Sequence, residues 1–343
     1  MRFPWANTLL LALIGVELVS GFFGLVSNSP DEAVFILAHR IAGWGIVAVL
    51  VWKAANVIRS LRWHRSAAPR TASIVLAVAL LATLALGFAW SFVGPYSYWL
   101  FSGVSWHIYI GALLLPILIW HSLYHTRGFP LRFWVDRRTF LRFAGLAIAS
   151  AALWRAGEVA ASVGGLSGAT RRFTGSYEAG SFTGNAFPLT SWLNDNPRPI
   201  DADAWRLNIG GAVANPTSIR YADITDAETT TATATIDCTG GWHSTQIWRG
   251  IALSDLLRAA QPDKDAASVT VRSVTGYYRR FSMSEANEYI LATHVGDERL
   301  SHGHGFPLRL VAHDKRGFEW VKWITEIEVN RTGKWLQPPL PLQ

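Results

Sequence analysis

The chain has 343 residues, enough for two domains, and half of its residues are hydrophobic. Its net charge of +7 is uneven, because residues 1–165 hold 13 Lys and Arg against 5 Asp and Glu, whereas the remainder holds 18 against 19. The remainder has no basic excess, which argues against nucleic acid as a partner. Cys238 is the only cysteine, so an internal disulfide is excluded.

Five apolar segments in residues 1–163 approach the length of roughly 20 residues that crosses a bilayer. They cover 8–26, 35–58, 73–93, 104–124 and 140–163. The fifth differs from the others in being rich in Ala and Gly. The sequence therefore predicts an N-terminal all-α membrane bundle of five transmembrane helices, in contact with membrane lipid.

Basic residues in the connecting loops predict the orientation of this bundle. The loops after the second and fourth segments are basic, and those after the first and third, SNSPDEAV and GPYSYWLFSG, contain no Lys or Arg. The basic positions are Arg59, Arg62, Arg65, Arg70, Arg127, Arg132, Arg137 and Arg138. We therefore expect a multi-pass protein of the bacterial inner membrane, with a cytoplasmic N-terminus and an extracytoplasmic C-terminal domain.

The fifth segment begins with the motif Arg137-Arg138-Thr139-Phe140-Leu141-Arg142. Two arginines, a spacer, Phe-Leu and a mildly apolar stretch resemble a twin-arginine export signal, here at an internal position. The twin-arginine machinery exports folded proteins, which suits a domain that takes up its cofactor in the cytoplasm. The alternative is that these arginines are ordinary positive-inside anchors.

Histidines in the apolar segments are candidate haem ligands, because polar side chains inside a bilayer are costly and usually functional. His39 and His107 open the second and fourth segments at the same outer depth and could bind one haem iron from opposite sides. His121 lies 14 residues after His107, about 21 Å along a helix and on nearly the same face. The spacing resembles that of transmembrane di-haem b-type cytochromes, although Lys53 stands where a fourth histidine is expected.

One outer haem b is therefore predicted, and a second remains open, with His64 or His125 as substitute ligands. Small residues near His39 and His107 would let a porphyrin approach the backbone. These residues are Gly43, Gly45 and Gly111. The alternative interpretation is that the histidines form hydrogen bonds between helices.

Residues 164–184 form a Gly/Ser/Thr-rich linker, after which short strands and helices are predicted. We predict strands at 205–210, 232–237, 269–273, 308–312 and 324–329. A short helix at 253–260 has Ser254 as a plausible cap. The sequence contains no Gly-rich phosphate loop, Walker pattern or zinc spacing, so nucleotide and zinc chemistry are not supported.

Three segments carry a family resemblance. TIDCTGGWHSTQIWRGIALSDLL, at 235–257, has a strand ending in Cys238, a predicted turn at 248–250 and a helix. The others are HGHGFPLRLVAHDKRGFEWVKWITEIEV, at 302–329, and DAWRLNIGGAVANPTSI, at 203–219, a strand followed by a Gly/Pro turn. Their order and spacing resemble the molybdopterin-binding fold of the sulfite oxidase family over most of residues 175–335. The resemblance implies an α+β fold for residues 185–343.

The resemblance also implies roles for individual residues. Cys238 matches the family's molybdenum ligand, since a thiolate is a soft ligand suited to that metal. Six other residues match positions that contact the pterin or its phosphate: Ser273, His304, Arg309, Trp320, Val321 and Lys322. Further contacts are expected from residues 177–192. The alternatives are surface charge for Arg309 and Lys322, and plain core for Trp320.

One departure concerns the substrate. Sulfite oxidases of animals and plants carry arginines shortly after the cysteine, whereas this chain has Thr239-Gly240-Gly241-Trp242-His243. Arg279 and Arg280 are other possible sources of positive charge. A molybdopterin domain paired with a haem b membrane unit resembles bacterial methionine-sulfoxide reductase systems, whose two parts are separate chains.

The predicted function is therefore a membrane-bound molybdoenzyme that couples quinone through haem b to molybdenum. Oxygen-atom transfer on a small molecule would follow, and we favour a quinol-driven reductase of the sulfoxide type. One alternative is a sulfite-type dehydrogenase that donates electrons to quinone. The other is a membrane sensor or binding protein without cofactor.

Overall fold

The computed structural model describes residues 4–63, 67–125, 137–192 and 195–341, and side chains within 5–59, 70–124, 137–192 and 195–341. The chain divides into two compact units, with the boundary between Tyr177 and Glu178. The boundary falls inside the predicted linker and inside the two-residue strand β3 (Tyr177–Glu178). His64 and the basic positions 65, 127 and 132 lie outside the described residues, and the side chains of Arg62 and His125 lie outside the described side chains.

The first unit is helical. Its helices are α1 (Pro4–Val26), α2 (Ala33–Trp63), α3 (Ala67–Phe92), α4 (Gly103–His125) and α5 (Arg137–Val163). Each coincides with one predicted apolar segment, and all five are long and apolar enough, by length and composition, to cross a membrane. Helix α1 packs against α2, α3 against α4, and α2 against α5.

Apolar side chains also cover the outside of this bundle. Val51, Leu113 and Ile148 are each more than 60% exposed, although they lie in the middle of their helices. A helix that is apolar on every side is stable only in a large core or in lipid. Between α3 and α4 the chain forms a small hairpin of β1 (Ser97–Tyr98) and β2 (Phe101–Ser102).

The second unit contains two sheets and little helix. One sheet has the order β5-β4-β13-β8-β9, in which β13 is parallel to β4 and the other neighbours are antiparallel. Its strands are β4 (Arg206–Gly211), β5 (Thr217–Arg220), β8 (Ser268–Ser273), β9 (Tyr278–Ser282) and β13 (Ile324–Asn330). The helices of the second unit are α6 (Tyr221–Asp226), α7 (Leu253–Ala260) and α8 (Met283–Ala286).

The other sheet is built around a long central strand. It contains β6 (Thr230–Asp237), β7 (Trp242–Ala252), β10 (Ile290–Val295), β11 (Glu298–Arg299) and β12 (Arg309–Val311). Strand β7 pairs with β6 and with β10, and β10 also pairs with β11 and β12. Trp248, Leu253, Leu291 and Leu310 are fully buried in the core of this unit.

In the second unit the five predicted strands and the predicted helix at 253–260 lie within two residues of β4, β6, β8, β12, β13 and α7, and the α+β class is correct. Strands β5, β7, β9, β10 and β11 were not predicted. Two local interpretations were wrong. Residues 248–250 are not a turn, because Trp248 lies inside β7 and its neighbours pair with β6 on one side and β10 on the other. Ser254 does not cap α7, because the helix begins at Leu253 with Ala252 at the cap position and no side-chain cap.

Candidate active site

A cleft of the second unit encloses about 690 Å³, counting the open solvent at its mouth. Segment 187–192, the loop after β6, the turn after β8 and segments 303–309 and 317–323 form its walls. Six of the seven predicted cofactor residues line it: Cys238, Ser273, His304, Arg309, Trp320 and Lys322. The fold therefore gathers residues from distant parts of the sequence at one place.

Cys238 occupies the tip of a tight hairpin. The β6–β7 pairing ends at Asp237 and His243, so the loop is short. The Cys238 amide donates to the Trp242 carbonyl, 2.8 Å, and Gly241 takes a positive φ of 94° that closes the turn. The Gly240 amide donates to Cys238 Sγ, 3.3 Å. Burial raises the pKa of the Cys238 thiol, so a bound metal ion is needed to hold the thiolate.

A buried ion pair fixes the base of this hairpin. Arg316 Nη1 donates to Asp237 Oδ1, 2.7 Å, and Nη2 donates to the Cys238 carbonyl, 3.3 Å. Both side chains are almost fully buried, at 4% and 0% exposure. The next residue, Gly317, packs closely against the hairpin, since a Cβ at this position would stand 3.3 Å from Cys238 Cα. The pair therefore positions the cysteine from behind.

Arg309 is a buried guanidinium that faces the cleft. Its Nη1 donates to the His304 carbonyl, 2.9 Å, and the group lies over the rings of Trp248 and Trp320. Its Nε has no hydrogen-bond partner, and no carboxylate of the described residues forms an ion pair with it. Burial lowers the pKa of Arg309 to about 9. A buried cation without a counter-ion is destabilising unless an anion binds beside it.

Lys322 is the second cation of the cleft. Its Nζ donates to the Thr190 carbonyl, the Ser191 hydroxyl and the Gly303 carbonyl, at 2.9–3.1 Å. Burial, followed by the charge of Arg309, lowers the pKa of Lys322 to about 7. Gly305 allows the two cations to converge, because a Cβ there would lie 3.1 Å from Lys322 and 3.2 Å from Arg309.

His304 and Ser273 line the cleft but already have partners in the fold. The two ring nitrogens of His304 bond to the Phe187 carbonyl, 3.0 Å, and the Ser301 hydroxyl, 2.8 Å. Burial and the charge of Arg309 lower the pKa of His304 to about 4, so the ring is neutral. Ser273 Oγ accepts from the amide and hydroxyl of Thr275. A ligand that contacts either residue would therefore share it with these hydrogen-bond partners.

Three other candidates lie elsewhere. Val321 is buried in the core and does not line the cleft. Arg279 forms a buried ion pair with Glu319, 2.7 Å, and Arg280 bonds to two threonine hydroxyls. Neither arginine lines the cleft, so neither supplies charge to it.

The donors of the cleft fit a molybdopterin. Among the described residues, Arg309 Nε and Trp192 Nε1 are buried donors without acceptors, and the two cations share the cleft with one carboxylate, Asp195. A pterin phosphate is an anion rich in acceptors, which would satisfy these groups. Cys238 adds a sulfur ligand in the same cleft. Trp192 lies within the range 177–192, from which contacts were expected without being assigned. The sequence did not reveal Asp195 or the Asp237–Arg316 pair, because only the fold brings them to this place.

The first unit brings two predicted haem ligands together. The rings of His39 and His107 have centroids 5.8 Å apart and planes at 84°. With metal–nitrogen bonds of about 2.0–2.1 Å, two imidazoles on opposite sides of one ion would have centroids about 6 Å apart. Each Nδ1 is engaged, by Glu17 in His39 and by the Thr83 carbonyl in His107. Nε2 is therefore the nitrogen left for iron in each ring.

Two glycines on neighbouring helices meet these rings, and the role predicted for Gly43, Gly45 and Gly111, which is to admit a porphyrin, stays a prediction. A Cβ on Gly21 would lie 3.1 Å from the His39 ring, and one on Gly87 would lie 3.0 Å from the His107 ring. The expected glycines meet other groups: Glu17 at Gly43, Leu13 and Ser150 at Gly45, and Thr83 at Gly111. Sequence spacing identifies neighbours on the same helix, whereas the close approach occurs between helices.

The position predicted for a fourth histidine, at the proposed second haem, holds a lysine that has a partner in the fold. Lys53, at the position where a second-helix histidine was expected, donates to Asn7 Oδ1, 3.0 Å. Asn56 donates to the same oxygen, 3.4 Å. His121 lies on α4, and its role as a second haem ligand remains a prediction.

Comparison with known proteins agrees with the chemistry of the cleft. Residues 194–335 match the family model described as "Oxidoreductase molybdopterin binding domain". Nitrate reductase (NADPH) of Fusarium oxysporum is 28% identical over 166 residues, covering 39% of this chain and 18% of that protein. The uncharacterized oxidoreductase YuiH of Bacillus subtilis is 26% identical over 156 residues, covering 44% of this chain and 78% of that protein.

A third relative is the protein-methionine-sulfoxide reductase catalytic subunit MsrP of Gluconobacter oxydans. It is 28% identical over 179 residues, which cover 45% of this chain and 53% of that protein. The chain thus spans less than a fifth of the fungal nitrate reductase and about half of the sulfoxide reductase subunit. Together with the cleft, these matches show that residues 194–335 form a molybdopterin-binding oxidoreductase domain, which is similar in sequence to sulfite oxidase of Arabidopsis thaliana and to the methionine-sulfoxide reductase catalytic subunit.

Proposed function

We propose that the chain is a membrane-bound molybdoenzyme that works as a quinol-driven reductase of the sulfoxide type. Electrons would pass from quinol through a haem b held by His39 and His107 to the molybdenum at Cys238. The observation that carries the proposal is the cleft, where Cys238 lies with two buried cations, Arg309 and Lys322, and, among the described residues, a single carboxylate, Asp195. We further propose that five helices span the bacterial inner membrane and that the twin-arginine machinery exports the second unit.

Bound molybdopterin would supply the metal centre at which an oxygen atom is transferred. The protein contributes binding and orientation. Arg309 and Lys322 would neutralise the phosphate, Arg309 through a planar fork of donors and Lys322 as a point charge. Trp320, whose ring lies beside the Arg309 guanidinium, would shield that part of the cleft from water. Cys238 would supply the thiolate ligand on a hairpin that the Asp237–Arg316 pair keeps in place.

The polarity of the cleft favours a neutral substrate over an oxyanion. Residues 239–242, which follow the cysteine, contain no cation, and Arg279 is paired with Glu319 away from the cleft. Arg309 and Lys322 would be occupied by the phosphate, and the remaining charged group of the cleft, within the described residues, is the carboxylate of Asp195. A sulfoxide oxygen is neutral overall and needs no guanidinium to balance a net charge.

Metal and haem analysis of the purified chain tests the proposal. We expect one molybdenum and at least one haem b per chain. Methionine sulfoxide should then reoxidise the haem of the dithionite-reduced protein, whereas sulfite should leave the oxidised haem unchanged.

Other outcomes would contradict the proposal. If sulfite reduces the haem, the protein is a dehydrogenase that donates electrons to quinone. If molybdenum is absent, a sensor or binding role replaces the enzyme.

A further inference from the structure

The two proposed haem ligands differ in the group that holds their Nδ1 nitrogen. His107 Nδ1 bonds to the backbone carbonyl of Thr83, 2.8 Å. His39 Nδ1 lies 2.6 Å from the Glu17 carboxylate and 3.1 Å from the Glu17 carbonyl. One ligand therefore faces a neutral dipole, and the other faces a carboxylate. Neither the family of the second unit nor the spacing of the histidines explains this difference.

Glu17 is an unusual residue for its position. It lies in the middle of α1, inside an apolar segment, and its side chain is only 15% exposed. Its Oε1 is buried and has no hydrogen-bond partner among the described residues, so His39 is the group that it serves. A carboxylate in this environment is costly and usually functional. Ser20 Oγ, at 3.5 Å from the same Nδ1, is a neutral neighbour.

A carboxylate on the far side of a metal-bound imidazole makes the ligand more basic. Ferric haem carries one more positive charge than ferrous haem, so a negative group beside the ligand stabilises the ferric state more. Solvent does not cancel this stabilisation of ferric haem, because a buried pair of charges is screened little. Reduction of the haem then becomes less favourable, and the reduced haem becomes a stronger electron donor.

We infer that Glu17 is a positioning residue that orients His39 and lowers the midpoint potential of the haem. The inference rests on the proposed haem site. A haem with a lowered potential passes electrons on to an acceptor more readily, and takes them from a donor less readily, than a haem held by two neutral partners.

Optical redox titration of the full-length purified chain tests this inference. Glu17→Gln keeps the size of the side chain and removes its charge. Loss of an outer-shell partner typically costs 10–100-fold in metal affinity or activity, and we take the lower end of this range for the redox equilibrium. We therefore expect at least about a tenfold shift of the one-electron equilibrium towards ferrous haem, which is a rise of about 59 mV. The EPR signal of the low-spin ferric haem should shift in the same variant.

Two matched variants complete the experiment. Glu17→Asp keeps the charge and should stay closer to the wild-type potential than Glu17→Gln, and Ser20→Ala, which alters only the neutral neighbour, should leave it unchanged. An unchanged potential in Glu17→Gln would overturn the inference while the haem site stands.

If Glu17→Gln binds no haem, Gly43→Ala replaces it, because the new methyl would lie 3.3 Å from Glu17 Oε1 and displace the carboxylate.

With Gly43→Ala we expect a smaller rise in potential, and no rise would count against Glu17. A wild-type chain that binds no haem would instead refute the proposed haem site itself.

Discussion

Cys238 is the residue on which the proposed chemistry depends. Cys238→Ala removes the sulfur without changing the hairpin, since both backbone bonds of the loop remain. We expect molybdenum-dependent turnover to fall by at least about 100-fold, because the variant lacks the sulfur proposed as the metal's ligand. The haem spectrum should be unaffected. Turnover with a dye donor and the optical spectrum, measured on the same preparation, check both expectations, and retained turnover would refute the site.

Lys322 should make the stability of the cofactor-free protein depend on pH. Its folded pKa of about 7 is below the ordinary value of 10.5, so the buried charge destabilises the fold below pH 7. Between pH 7 and 10.5 the unfolded chain binds more protons, and stability rises with pH. From pH 7 to pH 9 we expect a gain of roughly 1–2 kcal/mol.

Thermal unfolding of cofactor-free chain at several pH values measures this gain. Lys322→Met should abolish most of the rise, because it removes the titrating group from both states. Lys264→Met, at an exposed position, is the matched control and should keep it. A rise of the same size in Lys322→Met would show that another group is responsible.

At the scale of elements, the β6–β7 hairpin depends on the ion pair behind it. Asp237→Asn leaves the Arg316 guanidinium buried without its carboxylate. Breaking a buried pair in this way costs about 3–5 kcal/mol. We expect a lower unfolding midpoint and a reduced molybdenum content, because the Arg316 bond to the Cys238 carbonyl is disturbed as well.

Asp255→Asn is the control for that variant. Asp255 pairs with Arg258 on an exposed face of α7, with 44% and 77% of the two side chains exposed. Surface pairs contribute about 0–1 kcal/mol, so this change should have little effect on the same midpoint. Equal effects of the two substitutions would mean that the pair behind Cys238 has no special role.

The elements themselves were largely predictable. Short apolar runs located five strands of the second unit but not the central strand β7 or its partner β10, and long apolar runs located the helices of the first unit. The errors came from tertiary context. Trp248-Arg249-Gly250 has the composition of a turn, yet Trp248 fills the core and Gly250 lets β10 approach, since a Cβ there would meet the Leu291 carbonyl at 2.0 Å.

At the scale of the whole molecule, the two units should be separable by their cofactors. His39→Ala and His107→Ala should each remove the outer haem, because one ligand of the pair is lost, and should leave the molybdenum content unchanged. His121→Ala should retain that haem. Haem extraction and elemental analysis of the three variants give the answer, and a haem that survives the loss of either His39 or His107 would disprove their pairing.

The amino-acid sequence by itself determined the two-part organisation, the apolar helices, the strand pattern and the candidate ligands Cys238, His39 and His107. These features depend on local composition and on short motifs, which are visible along the chain. Only the tertiary structure decided which residues meet. It placed Val321 in the core, separated Arg279 from the cleft, joined Arg316 to Asp237 and brought Glu17 to His39. The reason is that hydrogen bonds and ion pairs act over a few ångströms, and distances of that size between remote residues are set by packing and not by sequence spacing.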